Sequence, residues 1–198
     1  MPVLDISRLN TSIGICGVVS TLAAVYSMRP GVQHSVNIQT SESSDALTYV
    51  YDIICGFLSY LEENGDKEVI QETEAITKSF GGVYSSWTVT GYLTRGRREE
   101  DLKGGRYAMA LTPNGILALL EFLGLRGVRS DKDVPGDAII GLTRSGAPTN
   151  NWGNLAHWTF RSSAGTWLNH GANYTSLSAL NQAASRDYSA ITWISVHG

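Results

Sequence analysis

NTSIGICGVVSTLAAVY, residues 10–26, is a small apolar run with one cysteine in it; glycine follows directly and Ser20 comes three places later. Three readings fit such a run: a buried helix, the apolar part of a secretion signal, or the seat of a nucleophile. Its pattern predicts a helix over 12–28, with Thr11 or Ser12 as the cap. The run from Ile13 to Tyr26 has the length of a signal h-region, and Arg8 precedes it. Asp5 lowers the positive charge ahead of it, however, and no A-x-A site follows in AVYSMRPG. The secretion reading is therefore set aside. No run reaches the ~18 residues that a membrane span needs, so the expectation is a soluble protein, cytoplasmic or delivered by specialised machinery.

Composition narrows the rest. A chain of 198 residues, 42% hydrophobic and 17% charged, suffices for one ordinary domain with a real core. The net charge of −3 and the scattered placement of its 15 basic residues leave no basic face for phosphates, which argues against a nucleic-acid partner. Two cysteines, neither in a CxxC or a Cys/His cluster, suggest neither a disulfide scaffold nor a zinc site. No metal or cofactor is expected, and the oligomeric state is left open.

Outward from the first run, a second helix is predicted from Ser44-Asp45 to Asn64-Gly65, with Leu47, Val50, Ile54, Leu58 and Leu61 at helical spacing. A third runs from Asp66 to Gly81-Gly82. SSWTVTGYLT (85–94) alternates like a strand, and TPNGILALLEFLG offers Thr112 as cap, Pro113 at the first helical position and a closing glycine. DAIIGLT (137–143), LAHWTFRSS (155–163), TWLNHG (166–171) and YSAITWISVHG (188–198) read as strands, with Ala164-Gly165 as a tight turn. TRSGAPTNNWGN (143–154) reads as an active-site loop. The expectation is a single α+β domain over 1–198, with a helical half over about 1–84 and a β-rich half over about 85–198 packed as an antiparallel sheet.

The first run then gains a context. A cysteine in the first turn of a helix meets unpaired N–H groups, which favour thiolate and lower its pKa below the ~8.5 of a free thiol. Gly17 would leave room for a substrate carbonyl, and Ser20, Ala23 and Ala24 would let the helix pack closely. Those choices suit a core helix equally well, since free cysteine is among the most buried residue types. Asn10, six residues before Cys16, is placed to turn back and share an oxyanion with the Cys16 amide. His157 lies on one predicted strand and Asn169 on the next, so antiparallel pairing would bring the Asn169 amide to the imidazole.

The order Asn10, then Cys16-Gly17-Val18-Val19-Ser20, then His157-Trp158, then Asn169 resembles the papain-like cysteine peptidases, most of all their compact bacterial C39-like branch. That superfamily commonly shows glutamine, five residues, Cys-Gly-x-x-Ser/Ala, a His on a later strand and an Asn or Asp one strand on. The resemblance implies a helical subdomain carrying Cys16, a β subdomain carrying His157, and a cleft between them. Here Asn10 stands where glutamine is usual, one methylene shorter. NWG at 151–153 echoes another papain motif but precedes the histidine.

The resemblance also implies a thiol hydrolase without a cofactor, acting on a protein or peptide substrate. Peptidoglycan stem peptides, glutamine deamidation and acyl transfer all suit the same thioester chemistry. The size and absence of export signals resemble bacterial effector or toxin enzymes. The NlpC/P60 amidases and endopeptidases are the alternative within the class; an inactive papain-like binding module is the alternative outside it. Among the other candidates, Cys55 reads as a buried structural thiol, His170 as a turn residue and the second choice of base, and His34 and His197 as isolated. RGRREEDLKGGR (95–106) reads as charged surface.

Overall fold

The structure, a computed structural model, describes residues 15–29, 43–95, 108–169 and 172–198, of which 43–48 are described as backbone only. The apolar run forms α1, Cys16–Met28, and Gly17 through Tyr26 are all buried. A helix that is apolar on every side belongs in the middle of a core. At its centre the buried Thr21 hydroxyl donates back to the Gly17 carbonyl at 2.8 Å, which satisfies that group inside the core. The helix starts at Cys16, not at 12: Ile15 is the N-cap and no side chain caps it. Cys16 is thus the first helical residue, and the expected caps Thr11 and Ser12 lie outside the described residues.

The next helices carry their own punctuation. α2 spans Ser43–Asn64 and α3 Lys67–Ser79. Between them Gly65 takes φ +68°, and the Asp66 carboxylate accepts from the Val69 N–H at 3.2 Å. After a 3₁₀ turn at Gly82–Tyr84 comes α4, Val89–Arg95, where the sequence predicted a strand. Thr88 overrides the alternation, since its hydroxyl accepts from the Gly91 N–H at 3.0 Å as a helix cap does. Trp87, Val89 and Tyr92 are still buried, and Tyr92 stacks on Tyr51 of α2 with 5.7 Å between ring centroids. α5, Pro113–Phe122, opens on Thr112, whose hydroxyl accepts from Gly115 and donates to Glu72 of α3 at 2.6 Å. One side chain therefore both caps α5 and ties it to α3.

Among the described residues strands begin only at residue 126, and helices lie beyond the expected division at about 84. The strands are β1 Arg126–Ser130, β2 Ala138–Thr143, β3 His157–Arg161, β4 Trp167–Asn169, β5 Ala172–Tyr174 and β6 Ser189–His197, with α6, Leu177–Ala184, between the last two. They form one antiparallel sheet in the order β1-β6-β2-β3-β4-β5. The architecture is α+β. β1, β5 and α6 were not read from the sequence. β1 is an edge strand with exposed Arg126, Val128 and Arg129, held by its ladder to β6 rather than by an apolar face.

β2 sits in the middle and is buried on both faces. Ile139 joins Phe160, Ile194 and the helices on one side; Ala138, Ile140 and Leu142 meet Trp167, Leu177, Tyr188 and Trp193 on the other. This is the two-residue alternation of a strand inside a layered fold. No described helix is long and apolar enough to cross a membrane.

Gly141 of β2 lies opposite Trp158 of β3, and a Cβ there would sit 2.7 Å from Thr192 Cγ2 and 3.0 Å from Leu155 Cδ1. Gly141→Ala should therefore cost about 1–3 kcal/mol, lowering the thermal midpoint by about 2–4 °C per kcal/mol. An unchanged midpoint in a calorimetric scan would show that the sheet yields at this contact.

Candidate active site

Trp158 brings the site together. As the second residue of β3 it presses its indole edge on α1, with Cδ1 3.2 Å from where a Cβ on Gly17 would stand. Its ring N–H donates to the Leu111 carbonyl at 2.9 Å. Ile116 Cδ1 and Leu111 Cβ fill the remaining space, at 3.2 and 3.3 Å. Glycine at 17 is thus explained by packing, not by room for a substrate. The backbone amides of Trp158, Gly17 and Cys16 lie near enough to the Cys16 sulfur to favour its thiolate.

His157, one residue earlier, is buried, and its Nε2 lies 2.6 Å from Oδ1 of buried Asn169. The expected pairing across adjacent strands is present. β3 and β4 are linked by the tight turn, where Gly165 takes φ +80° and Ser162 N–H donates to Thr166 O at 2.9 Å. An amide oxygen only accepts, so Nε2 carries the proton and Nδ1 keeps its lone pair. Tyr188, just before β6, stacks on the imidazole at 5.3 Å and 26°. The Cys16 sulfur is close enough to influence the Tyr188 hydroxyl as well. Cys16, His157, Asn169 and Tyr188 therefore form one cluster where α1 meets the sheet.

The electrostatics run opposite to the expectation for the thiol. Burial pushes Cys16 from 9.0 up to about 11, although the three amides pull it down. Helix-terminus partial charges are worth ~0.3–2 kcal/mol, whereas stripping water from a charged group costs several; desolvation wins. Burial likewise lowers His157 from 6.5 to about 4, against the upward pull of Asn169, and Arg144 adds to the lowering. At neutral pH the site holds a thiol and a neutral imidazole.

Asn10, His34 and His170 lie outside the described residues, so the proposed oxyanion partner and the second choice of base are not placed. So do residues 96–107 of the charged segment. Cys55 is half-buried at the fringe of the core on α2, and neither Cys16 nor Cys55 is in a disulfide. His197 is exposed at the end of β6, within 3.0 Å of Ser195 Oγ. The loop at 143–154 is held by Asn150, whose amide donates to the Leu155 and Pro148 carbonyls and accepts from the Trp152 and Leu155 N–H groups at 3.0–3.2 Å. Among the described residues no group of three His, Cys, Asp or Glu could hold a metal ion. Sequence reasoning missed Tyr188 and Arg144, since nothing local marks a tyrosine or arginine that only β-sheet pairing brings to His157. Compared with known proteins, the chain matches no family model, no curated protein and no solved structure.

The buried imidazole makes a signed pH prediction. Between pH 6.5 and about 4 the unfolded chain takes up a proton at His157 that the folded chain refuses. Stability is therefore present above 6.5 and falls as pH drops through this window, by about 3 kcal/mol at most. Urea midpoints of wild type should drop more steeply from neutral pH toward pH 4 than those of His157→Gln. Parallel curves would mean that the folded protein tolerates the imidazolium.

Proposed function

We propose that this protein is a thiol hydrolase of papain-like architecture that cleaves a peptide or amide bond. The observation that carries the reading is the buried 2.6 Å contact between His157 Nε2 and Asn169 Oδ1, one residue from Trp158, whose amide favours the Cys16 thiolate. Cys16 attacks the carbonyl carbon while His157 Nδ1 takes the thiol proton. The carbonyl π electrons move to oxygen, and N–H groups at the start of α1, with Asn10 as a second donor, stabilise that oxyanion. The tetrahedral species collapses as His157 returns the proton to the leaving amine, giving a thioester. Water then attacks the thioester with His157 again as base, and the thiol is restored.

A neutral starting pair changes when charge appears, not the sequence of bonds. Thiol and imidazole stay uncharged until a substrate is in place, so the proton moves during attack rather than before it. Asn169 acts through His157 by fixing its tautomer and plane. Peptidoglycan cleavage, glutamine deamidation and acyl transfer differ from peptide hydrolysis only in which group leaves or enters, and delivery as an effector or toxin fits any of them. A chain in which Cys16 is merely packed would be a binding module.

Incubation with denatured protein and, separately, with peptidoglycan sacculi, followed by mass spectrometry of the products, separates these readings. Cys16→Ala should abolish turnover, and His157→Ala should lower kcat by about 10³-fold or more, as losses of nucleophile or base do. Asn169→Ala should cost less, with its residual activity still requiring Cys16 and His157. Turnover that survives Cys16→Ala would sink the thiol mechanism. Full activity in Asn169→Ala would move the orienting role to another residue, with Asn173 and Asn151 next to test.

A further inference from the structure

An open groove begins beside His157, between the exit of β2 and the connection from α6 to β6. Arg144 and Ser145 form one wall; Asn181, Arg186 and Asp187 line the other. The sheet register fixes its position. Leu142 pairs with His157 and Thr143 with Ser189, so Arg144 leaves β2 alongside both the imidazole and Tyr188. The Arg144 charge acts on His157, Tyr188 and Asp187 alike, and the Arg186 charge acts on Tyr188 as well. The groove thus adjoins the Cys16–His157 cluster through Arg144, whose charge reaches His157, and through Arg186, which stands two residues before Tyr188.

Its charges are unbalanced. The Asp187 carboxylate is already committed to Ser145: it accepts from the backbone N–H at 3.1 and 3.3 Å, and from the hydroxyl through a short contact. Those bonds hold its carboxyl below the usual carboxylate range. Arg144 Nη1 donates to the Ser145 carbonyl at 3.0 Å. The rest of its fork finds no acceptor among the described residues, and neither arginine has a salt bridge there. Two guanidinium groups therefore face the groove against one carboxylate, and the Ser145–Asp187 clamp fixes the wall that carries Arg144.

We infer that this groove receives a carboxylate of the substrate, bound by Arg144 with Arg186 beside it, next to the amide bond that Cys16 attacks. The inference rests on the thiol-hydrolase reading. A guanidinium fork matches a carboxylate in two parallel N–H···O bonds, which a carboxamide in the same place cannot equal. Substrates with a negative group near the scissile bond are therefore favoured, and neutral ones leave Arg144 without its partner.

Alkylation of Cys16 by iodoacetate and by iodoacetamide tests this without a known substrate. The two reagents attack the same sulfur and differ in a carboxylate against a carboxamide, so the ratio of their rates cancels the thiol's own ionisation. Rates are read at about pH 9 by peptide mapping, which separates Cys16 from Cys55, with the urea-unfolded chain as reference. In the folded protein the iodoacetate to iodoacetamide ratio at Cys16 should exceed the unfolded ratio by about two- to fivefold, the effect of one partly exposed charge pair. Arg144→Gln should bring the ratio down toward the unfolded value, Arg144→Lys should keep part of it, and salt at about 0.5 M should shrink it. If iodoacetamide labels folded Cys16 but the ratio equals the unfolded one, or is unchanged in Arg144→Gln, the groove assignment falls and the hydrolase reading stands. If neither reagent labels folded Cys16, both fall.

Discussion

α1 is held on the sheet by Trp158, and the rest of the molecule is arranged around that contact. The indole reaches across to Leu111 through its ring N–H and packs where Gly17 has no side chain, so α1, α5 and β3 meet at one point. A residue with any Cβ at 17 would crowd Ile116, Trp158 and Leu111 together. The backbone amide of the same residue favours the Cys16 thiolate, and His157 stands immediately before it in the strand. Packing and candidate chemistry therefore share one anchor.

That anchoring has an electrostatic consequence. A helix terminus placed at a surface would leave its thiol in water, where the first-turn amides would have their full effect on the thiolate. Here the terminus is driven into the contact with β3, and desolvation outweighs three amides directed at the sulfur. His157 is subject to the same penalty from the other side of the cluster. Burial thus lowers the charge of the resting site while fixing its geometry, an arrangement in which hydrogen bonds count for more than in water.

The groove beside it differs in character. Its walls are polar and largely exposed, its carboxylate is engaged by Ser145, and its positive charges are carried by flexible side chains on the exits of secondary-structure elements. A dry cluster thus lies next to a wet, positively charged groove.

Much of this was legible in the chain. The cap at Thr112, the helix start at Asp66 and the turn at Gly165 are local features with local causes, and they stand where the sequence put them. So does the pairing of His157 with Asn169, because two strands joined by a tight turn have few registers in which to meet. What failed was decided by distant partners. The stretch 85–94 alternates like a strand, yet a Thr88 cap and the aromatic ring of Tyr51 make it a helix. β1 has no pattern of its own and exists through its ladder to β6. Tyr188 and Arg144 reach His157 only because β2 and β6 are neighbours in the sheet. The Cys16 thiol was read from its place in a helix, a local property, but its ionisation depends on how much water the fold removes, and that is settled by everything packed against it.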